Sequence, residues 1–259
     1  MTMLDTAPTP VEADSSTTPS VMKALLLLDA FRGAGPTVGV SEIARRAGVS
    51  KSTAFRLLAH LERGGYVERH GTDYCLGRHL FELGNSVPIC LPHGLRDVAA
   101  PLLGQLFTRT QKVVHLAVLD GTEVVYVEKL HGPGAVNVAT TVGGRMPASC
   151  SSLGKAILAF SDRETIGRVL RSGLPRRTAY SIADPARLLQ ELGRVRAKGV
   201  AFDREEIQLG LVCAAAPVLR DGRAVAAVSV SGQALGFNPE SIAAEVHRTA
   251  DAISRAFAA

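Results

Sequence analysis

Two short helical patterns separated by a three-residue turn are the feature that most constrains how this chain folds. The first pattern covers Glu42 to Ala47 and is followed by Gly48, a residue that readily adopts the left-handed conformation in which helices end. Ser41 is predicted to cap this helix, and Ser50 to cap a second helix that runs to about Arg63. The apolar residues of the second helix recur at the spacing of one buried face: Ala54, Leu57, Leu58 and Leu61. The arrangement predicts a helix-turn-helix.

The flanking segments extend this pattern to a winged helix-turn-helix over residues 20 to 77. Val21 to Phe31 has the spacing of a further amphipathic helix. Gly65 to Arg69 and Asp73 to Leu76 are predicted to form a β-hairpin, the wing, because a glycine-containing turn joins them. From Ser20 to Leu80 nine Lys or Arg residues stand against five Asp or Glu residues, so a polyanion such as double-stranded DNA is the expected partner.

The polar side of the second helix is predicted to enter the major groove of DNA, where short polar and cationic side chains meet base edges and phosphates. Arg56 and Lys51 are the expected cationic contacts, with Ser52 and Thr53 nearer the DNA backbone. One winged module buries too little surface for specificity, so we expect a two-fold dimer on half-sites related by a dyad. The predicted DNA-binding residues are Ser41, Arg45, Lys51, Ser52, Thr53, Arg56 and His60.

Composition narrows the class of protein further. Trp is absent and only 5% of residues are aromatic, which argues against a base-stacking platform for RNA. Residues 1 to 19 are predicted to be a disordered tail and not a signal peptide, and the apolar stretch from Ile207 to Leu219 is too short to span a membrane. The four cysteines form no C-x-x-C pair, so neither a metal site nor a disulfide scaffold is predicted. We expect a cytoplasmic protein without a cofactor.

A second, larger domain is predicted over residues 93 to 259, after a connection over residues 78 to 92 that Gly84, Pro88 and Pro92 interrupt. Asp120-Gly121 and Asp221-Gly222 each separate two strand patterns and therefore predict hairpins. The predicted strands are Val113–Leu119, Glu123–Leu130, Gly210–Leu219 and Arg223–Ser231, and the predicted helices are Gly94–Thr110, Ser151–Phe160, Arg163–Leu170, Pro185–Lys198 and Pro239–Phe257. These elements predict an α+β fold, with helices packed on a mainly antiparallel sheet.

Three features of the second domain indicate a polar-lined cavity. They are the glycine-rich loop from Val142 to Pro147, the helix start at Ser151, and Ser229 and Ser231 on one face of a strand. Because unpaired N–H groups at a helix start favour negative charge, the ligand is predicted to be a small organic anion.

Two other functions stay open on this reasoning. Ser152 and Lys155 match the S-x-x-K motif of acyl-transfer enzymes, in which lysine helps to deprotonate serine, although the partner motifs S-D-N and K-T-G are absent. Alternatively, the second domain is a dimerisation module without a ligand, in an architectural DNA-binding protein. Leu211 and Cys213 are then core residues, and Lys155 is a solvated helix residue.

Several motifs together carry a resemblance to a known family. In the first domain they are residues 41 to 48 (SEIARRAG), 51 to 53 (KST) and 65 to 67 (GYV). In the second they are residues 154 to 156 (GKA), 203 to 206 (D-x-E-E), 213 to 217 (C-x-A-A-P) and 228 to 232 (VSVSG). From about Ser20 onward the chain resembles the IclR family of bacterial transcriptional regulators. The resemblance implies a GAF-like second domain that binds a small metabolite, and a dimer or tetramer that binds a palindromic operator as a repressor or activator.

The resemblance also implies positions for the effector pocket. Met146, Leu153 and Leu211 close its apolar side, and Asp203 accepts from a ligand hydroxyl or orients a neighbouring donor. Ser152-Leu153 stands where a smaller pair is common in the family. The implied effector-binding residues are Met146, Ser152, Leu153, Asp203, Leu211, Cys213, Ser229 and Ser231.

Overall fold

The apolar spacing near the start of the chain produces three helices around one small core. They are α1 (Ser20–Asp29), α2 (Val40–Ala47) and α3 (Lys51–Arg63). Leu27, Ile43, Ala54 and Leu58 are buried between them, because each lies on the apolar side of its helix. The predicted helix-turn-helix is therefore confirmed, with Gly48 in the left-handed conformation (φ 65°) at the turn.

This computed structural model describes residues 18–133, 138 and 140–258. The chain divides into two compact units, with the boundary between Val87 and Pro88. Residues 1 to 17 of the predicted tail lie outside the described part. Among the helices that are described, none is long and apolar enough to cross a membrane.

The wing of the first unit belongs to a sheet of three antiparallel strands: β1 (Val38–Gly39), β2 (Val67–His70) and β3 (Asp73–Leu76), with β3 in the middle. Val38 pairs with Tyr74, and both side chains are buried against the helices. The sequence did not predict β1, because two residues are too few to show an alternating pattern. Helix α4 (Arg78–Asn85) ends the unit.

The predicted cap of α2 is wrong. The helix begins at Val40, one residue before Ser41, and Gly39 precedes it without any side-chain cap. The pairing of Gly39 with Asp73 explains this, because the chain leaves a strand directly into the helix. Ser41 is exposed in the first turn. The predicted cap of α3 has formed, since Ser50 Oγ accepts a hydrogen bond from the Thr53 N–H at 3.2 Å.

The second unit is built on six antiparallel strands in the order β6-β5-β4-β9-β8-β7. The strands are β4 (Val113–Asp120), β5 (Glu123–Leu130), β6 (Arg145–Pro147), β7 (Ala201–Arg204), β8 (Leu211–Arg220) and β9 (Arg223–Gln233). The helices are α5 (Leu95–Thr110), α6 (Ser152–Leu158), α7 (Arg163–Arg171), α8 (Pro185–Lys198) and α9 (Ala243–Ala258). This α+β arrangement with an antiparallel sheet confirms the predicted fold class. The short strands β6 and β7 were not predicted.

The two faces of the sheet are covered by different helices. Residues of α5 and α9 pack with Val114, Leu116, Val228 and Val230 on one face. Residues of α6 and α8 pack with Ala117, Ala215 and Ala227 on the other face. Because side chains alternate along a strand, Ser229 and Ser231 lie on the second face together with His115. This face positions the polar groups of the second unit.

Candidate nucleic-acid interface and ligand pocket

Helix α3 presents a polar and cationic surface opposite its buried side. Lys51, Ser52, Arg56 and His60 are exposed, whereas Thr53 is partly buried. Among the described residues, no ion pair engages Lys51 or Arg56. Both cations are therefore available to a ligand in solution.

The start of α3 is held by a hydroxyl network around Ser50. Its Oγ atom lies 3.1 Å from Ser52 Oγ, and its hydroxyl donates to Thr53 Oγ1 at 2.9 Å. This network fixes the side chains of Ser52 and Thr53 close to the first turn of the helix. The sequence reasoning missed Phe55, whose side chain is 51% exposed on the same helix.

Arg45 on α2 is paired with an acidic neighbour. Its guanidinium donates two hydrogen bonds to Glu42, and Arg46 donates a third. These hydrogen bonds lower the pKa of Glu42 to about 2, because they stabilise its charged form. Arg45 itself is exposed, as is Ser41.

Three of the implied effector residues form a row across the sheet of the second unit. Asp203 on β7 pairs with Cys213 on β8, and Cys213 pairs with Ser231 on β9. Ser229, two positions along β9, lies on the same face. All four side chains are buried. Burial raises the pKa of the Cys213 thiol, and hydrogen bonding to Ser231 and Ser152 opposes that rise.

Helix α6 starts against this row. Ser151 caps the helix by accepting from the Gly154 N–H at 3.0 Å, and Ser152 is buried directly after it. A Cβ atom on Gly154 would lie 2.1 Å from the Ala148 carbonyl oxygen, so only glycine permits this close approach. The helix has seven residues and not the longer span predicted from Ser151 to Phe160.

The apolar members of the implied pocket fall into two clusters. Leu211 packs with Cys213, Val113 and Val138. Leu153, on α6, is buried in the apolar cluster between α6 and the sheet, and the partly buried Met146 packs against this cluster. The structure therefore brings Ser152, Cys213, Ser231 and Asp203 together. Leu211 packs with Cys213, whereas Met146 and Leu153 belong to a different apolar cluster.

A buried ion pair lies next to Asp203. Lys155 is fully buried and donates to Glu206, whose backbone N–H in turn donates to Asp203 Oδ1 at 2.7 Å. Burial, together with the charge of Glu206, raises the pKa of Asp203 to about 7. The second oxygen of Glu206, Oε2, is buried without a hydrogen-bond partner among the described residues. The sequence did not predict this ion pair, and it placed Lys155 in solvent under one alternative.

A second buried polar group that the sequence missed is His115 on β4. Its Nε2 atom lies 2.8 Å from Thr140 Oγ1, and its ring centroid lies 4.9 Å from that of Tyr126. Burial lowers the pKa of His115 to about 3, with smaller contributions from the charges of Lys129 and His131, so the imidazole is neutral. Lys129 donates to the carbonyl oxygens of Val138 and Thr140. The sequence did not predict a role for His115, because the residues on both sides of it are apolar and indicate only a buried strand.

An open apolar cavity of about 510 Å³ lies elsewhere in the second unit. Its lining includes Ile89, Leu95, Val118, Val225 and Phe257. None of the implied effector residues contributes to it.

Two domain descriptions of one protein family match this chain and together cover most of its length. The family described as the bacterial transcriptional regulator IclR C-terminal domain matches residues 91–255, and the IclR helix-turn-helix domain matches residues 20–71. The transcriptional repressor IclR of Escherichia coli is 31% identical over 82% of this chain and 79% of its own length. The regulator KdgR of the same organism is 32% identical over 91% of both chains.

Solved structures agree with these matches. An IclR homolog of Microbacterium hydrocarbonoxydans, complexed with 4-hydroxybenzoate, superposes with a TM-score of 0.84 at 28% identity, covering 92% of this chain and 99% of the homolog. The IclR protein of Thermotoga maritima superposes with a TM-score of 0.75 at 32% identity, covering 93% of this chain and 99% of that protein. The chain belongs to the IclR family of bacterial transcriptional regulators, and its first unit carries the family's helix-turn-helix DNA-binding domain.

Proposed function

We propose that this protein is a cytoplasmic regulator whose binding to a palindromic operator is controlled by a small organic acid in the second unit. The observation that carries the proposal is the row of buried polar groups formed by Asp203, Cys213 and Ser231 beside Ser152. Several polar side chains that converge on one face of a sheet, beside a helix start, are typical of a ligand pocket, and this favours a binding cavity over a solid core.

The surface of α3 supports its assignment as the recognition helix. Lys51 and Arg56 carry the charge that phosphates and guanine edges attract, and the exposed Phe55 is suited to the methyl group of thymine. Arg45 is assigned to phosphate, because a phosphate can replace Glu42 as the partner of its guanidinium. Ser41 and His60 complete the proposed interface, and we assign Ser52 and Thr53, in the first turn of α3, to contacts with the DNA backbone.

Exposed apolar side chains in the first unit support a two-fold dimer. Val21, Met22 and Leu25 are exposed on α1, and Phe81 and Leu83 are exposed on α4. Such residues are usually covered by another protein surface when they occur together. A dimer places two recognition helices on two half-sites, which is why the operator is expected to be palindromic.

The proposed effector has a carboxylate and an apolar body. A family member with a similar fold is known in complex with 4-hydroxybenzoate, a molecule of this class. Helix α6 is short and Ser151 already satisfies one of its N–H groups, so we assign most of the carboxylate recognition to the hydroxyls of Ser152, Ser229 and Ser231. Met146, Leu153, Leu211 and Cys213 supply apolar contacts.

The protonation of the polar groups fits an anionic ligand. Neutral His115 does not repel or attract charge, and Asp203, with its pKa near 7, is protonated in part of the molecules at neutral pH. A protonated Asp203 donates a hydrogen bond to a carboxylate or hydroxyl, whereas an ionised one repels a carboxylate.

Catalysis by Ser152 and Lys155 lacks support in this geometry. Lys155 Nζ donates to Glu206 and is therefore already engaged, and Ser152 is buried. The similar proteins that cover most of the chain are named as regulators. We therefore infer that the protein is not an enzyme.

Calorimetry on the full chain tests the effector. We expect at least one member of a panel of aromatic and aliphatic carboxylic acids, including 4-hydroxybenzoate, to bind and to raise the melting temperature. Ser229→Ala combined with Ser231→Ala should weaken that binding, whereas Ser241→Ala, an exposed serine outside the pocket, should not. Binding of a neutral or cationic compound but of no acid contradicts the anion assignment, and unchanged affinity in the double variant shows that the pocket is misplaced.

A further inference from the structure

The wing of the first unit brings three metal-binding side chains together. Glu68 on β2 pairs directly with Cys75 on β3, so the two side chains lie on the same face of the hairpin. His70 lies two residues after Glu68 and therefore shares that face. One carboxylate oxygen, one imidazole nitrogen and the thiol sulfur all lie within 4.8 Å of one another.

We propose that Glu68, His70 and Cys75 form a binding site for a divalent transition-metal ion, with Zn²⁺ as the best match. A thiolate, an imidazole and a carboxylate are the ligands of borderline-soft ions, whereas Ca²⁺ and Mg²⁺ require oxygen ligands. Three protein ligands leave the fourth tetrahedral position to water. This inference does not depend on the proposed effector or on the reading of DNA by α3.

The geometry needs only a small adjustment. Zn²⁺ lies about 2.0 to 2.3 Å from nitrogen, oxygen and sulfur ligands, which places two ligand atoms roughly 3.5 Å apart in a tetrahedron. The present separations of up to 4.8 Å close to that value by rotation of side chains. His70 is exposed and the other two side chains are partly exposed, so rotation is free of core packing.

Existing contacts of the three groups are loose. Glu68 lies 3.8 Å from the Arg78 guanidinium and 4.0 Å from His70 Nε2, both longer than a hydrogen bond. The Arg78 side chain is 94% exposed, so it can turn away into solvent. Cys75 is a free thiol. A metal ion would therefore displace only weak interactions.

The binding step balances in charge. The Cys75 thiol loses its proton to solvent, neutral His70 offers a lone pair, and the Glu68 carboxylate is already an anion, so the ion adds a net charge of about one unit to the wing. No electron is transferred. The ion joins the two strands near their turn and restricts the hairpin.

Titration of the reduced full-length protein with Co²⁺, in the absence of other metals, tests the proposal. Co²⁺ replaces Zn²⁺ in tetrahedral sites, and a thiolate ligand gives a charge-transfer absorption in the near ultraviolet. We expect one Co²⁺ ion per chain with this absorption, and displacement of Co²⁺ by Zn²⁺. Cys75→Ser should abolish the absorption, and Cys90→Ser is the matched control, because Cys90 is also partly exposed but lies in the other unit.

His70→Gln and Glu68→Gln identify the other two ligands, and circular dichroism of each metal-free variant verifies that it is folded. Each substitution removes one of the three ligands and should weaken Co²⁺ binding by about tenfold or more, because the loss of even an outer partner of a metal ligand costs at least that much affinity. The proposal is overturned if the wild-type protein shows no thiolate absorption, if Cys75→Ser retains it, if Cys90→Ser loses it, or if neither glutamine variant binds more weakly.

Discussion

The two units place their polar side chains in opposite environments. In the first unit, Lys51, Arg56 and His60 project into solvent from a helix whose other side is apolar. In the second unit, Lys155, Glu206 and Asp203 are buried beneath helices and strands. The exposed groups contribute little to stability and are available to a partner, whereas each buried group depends on its neighbours for compensation of its desolvation. Substitutions of these exposed groups should therefore alter binding to a partner, and substitutions of these buried groups should alter stability as well.

The largest effect is expected for Lys155→Ala. It leaves Glu206 buried without a counter-charge, and loss of one partner of a buried ion pair costs about 3 to 5 kcal/mol of unfolding free energy. Urea denaturation of the full chain, followed at a signal from the second unit, measures this loss of unfolding free energy. Combined Lys155→Met and Glu206→Leu should recover much of it, because no charge is then left buried. If Lys155→Ala is as stable as the wild type, Lys155 does not compensate for the desolvation of Glu206. The buried charges of the second unit would then depend on their neighbours no more than the exposed charges of the first unit do.

A smaller effect is expected for Arg56→Ala, and it concerns DNA affinity and not stability. If Arg56 contacts a base, its removal should weaken operator binding by about 1 to 3 kcal/mol. If it contacts a phosphate, its removal should weaken binding to all DNA sequences alike. The salt slope, which is the change in the logarithm of the binding constant with the logarithm of the salt concentration, should then fall in magnitude by about one unit. Fluorescence anisotropy measures operator affinity at several salt concentrations and so separates the two roles. The same measurement on Lys51→Ala compares the two cationic residues.

Arg168→Ala is the control for Arg56, because Arg168 is exposed on a helix of the second unit. It should leave operator affinity and the salt slope unchanged. Should the Lys51→Ala, Arg56→Ala double variant bind operator with wild-type affinity and salt dependence, α3 is not the recognition helix.

The buried carboxyl of Asp203 should make both the stability of the second unit and its affinity for an acid depend on pH. The pKa of Asp203 is raised from its ordinary value of 3.8 to about 7 in the folded protein, so the folded state holds the proton more tightly than the unfolded state. The stability of the second unit should therefore fall as the pH rises from about 4 toward 7. Above pH 7 the ionised Asp203 should repel a bound carboxylate, and the affinity should fall by up to about tenfold per pH unit.

Asp203→Asn tests this assignment, because its amide oxygen can still accept from the Glu206 N–H. The variant should show neither the loss of stability between pH 4 and 7 nor the loss of affinity above pH 7. Calorimetry at a series of pH values with an acid that binds the wild type measures the second effect. A wild-type affinity that is independent of pH between about 6 and 9 rules out a role for Asp203 in contact with the anion.

The contrast between the units also explains how much of each site was predictable. The α3 surface follows from residues that are close in sequence, because a helix places its exposed side chains by a fixed period. The row of Asp203, Cys213 and Ser231 depends on the pairing of three strands, one of which was not predicted. Resemblance to the family supplied those positions, and spacing alone supplied only the alternation of Ser229 and Ser231. His115, Tyr126 and Glu206 were not predicted as site residues, since their partners are distant in sequence.

The smallest expected effect compares the two predicted caps in the first unit. Ser50→Ala removes the acceptor of the Thr53 N–H and should destabilise the first unit by about 1 kcal/mol, as the loss of a helix cap does. Ser41→Ala should change stability by less than about 0.5 kcal/mol, because Ser41 is exposed in the first turn of α2 and caps nothing. Thermal denaturation of the two variants, followed at a signal from the first unit, makes the comparison. An equal loss of stability in both would mean that Ser41 caps α2 in solution and that the helix begins one residue later.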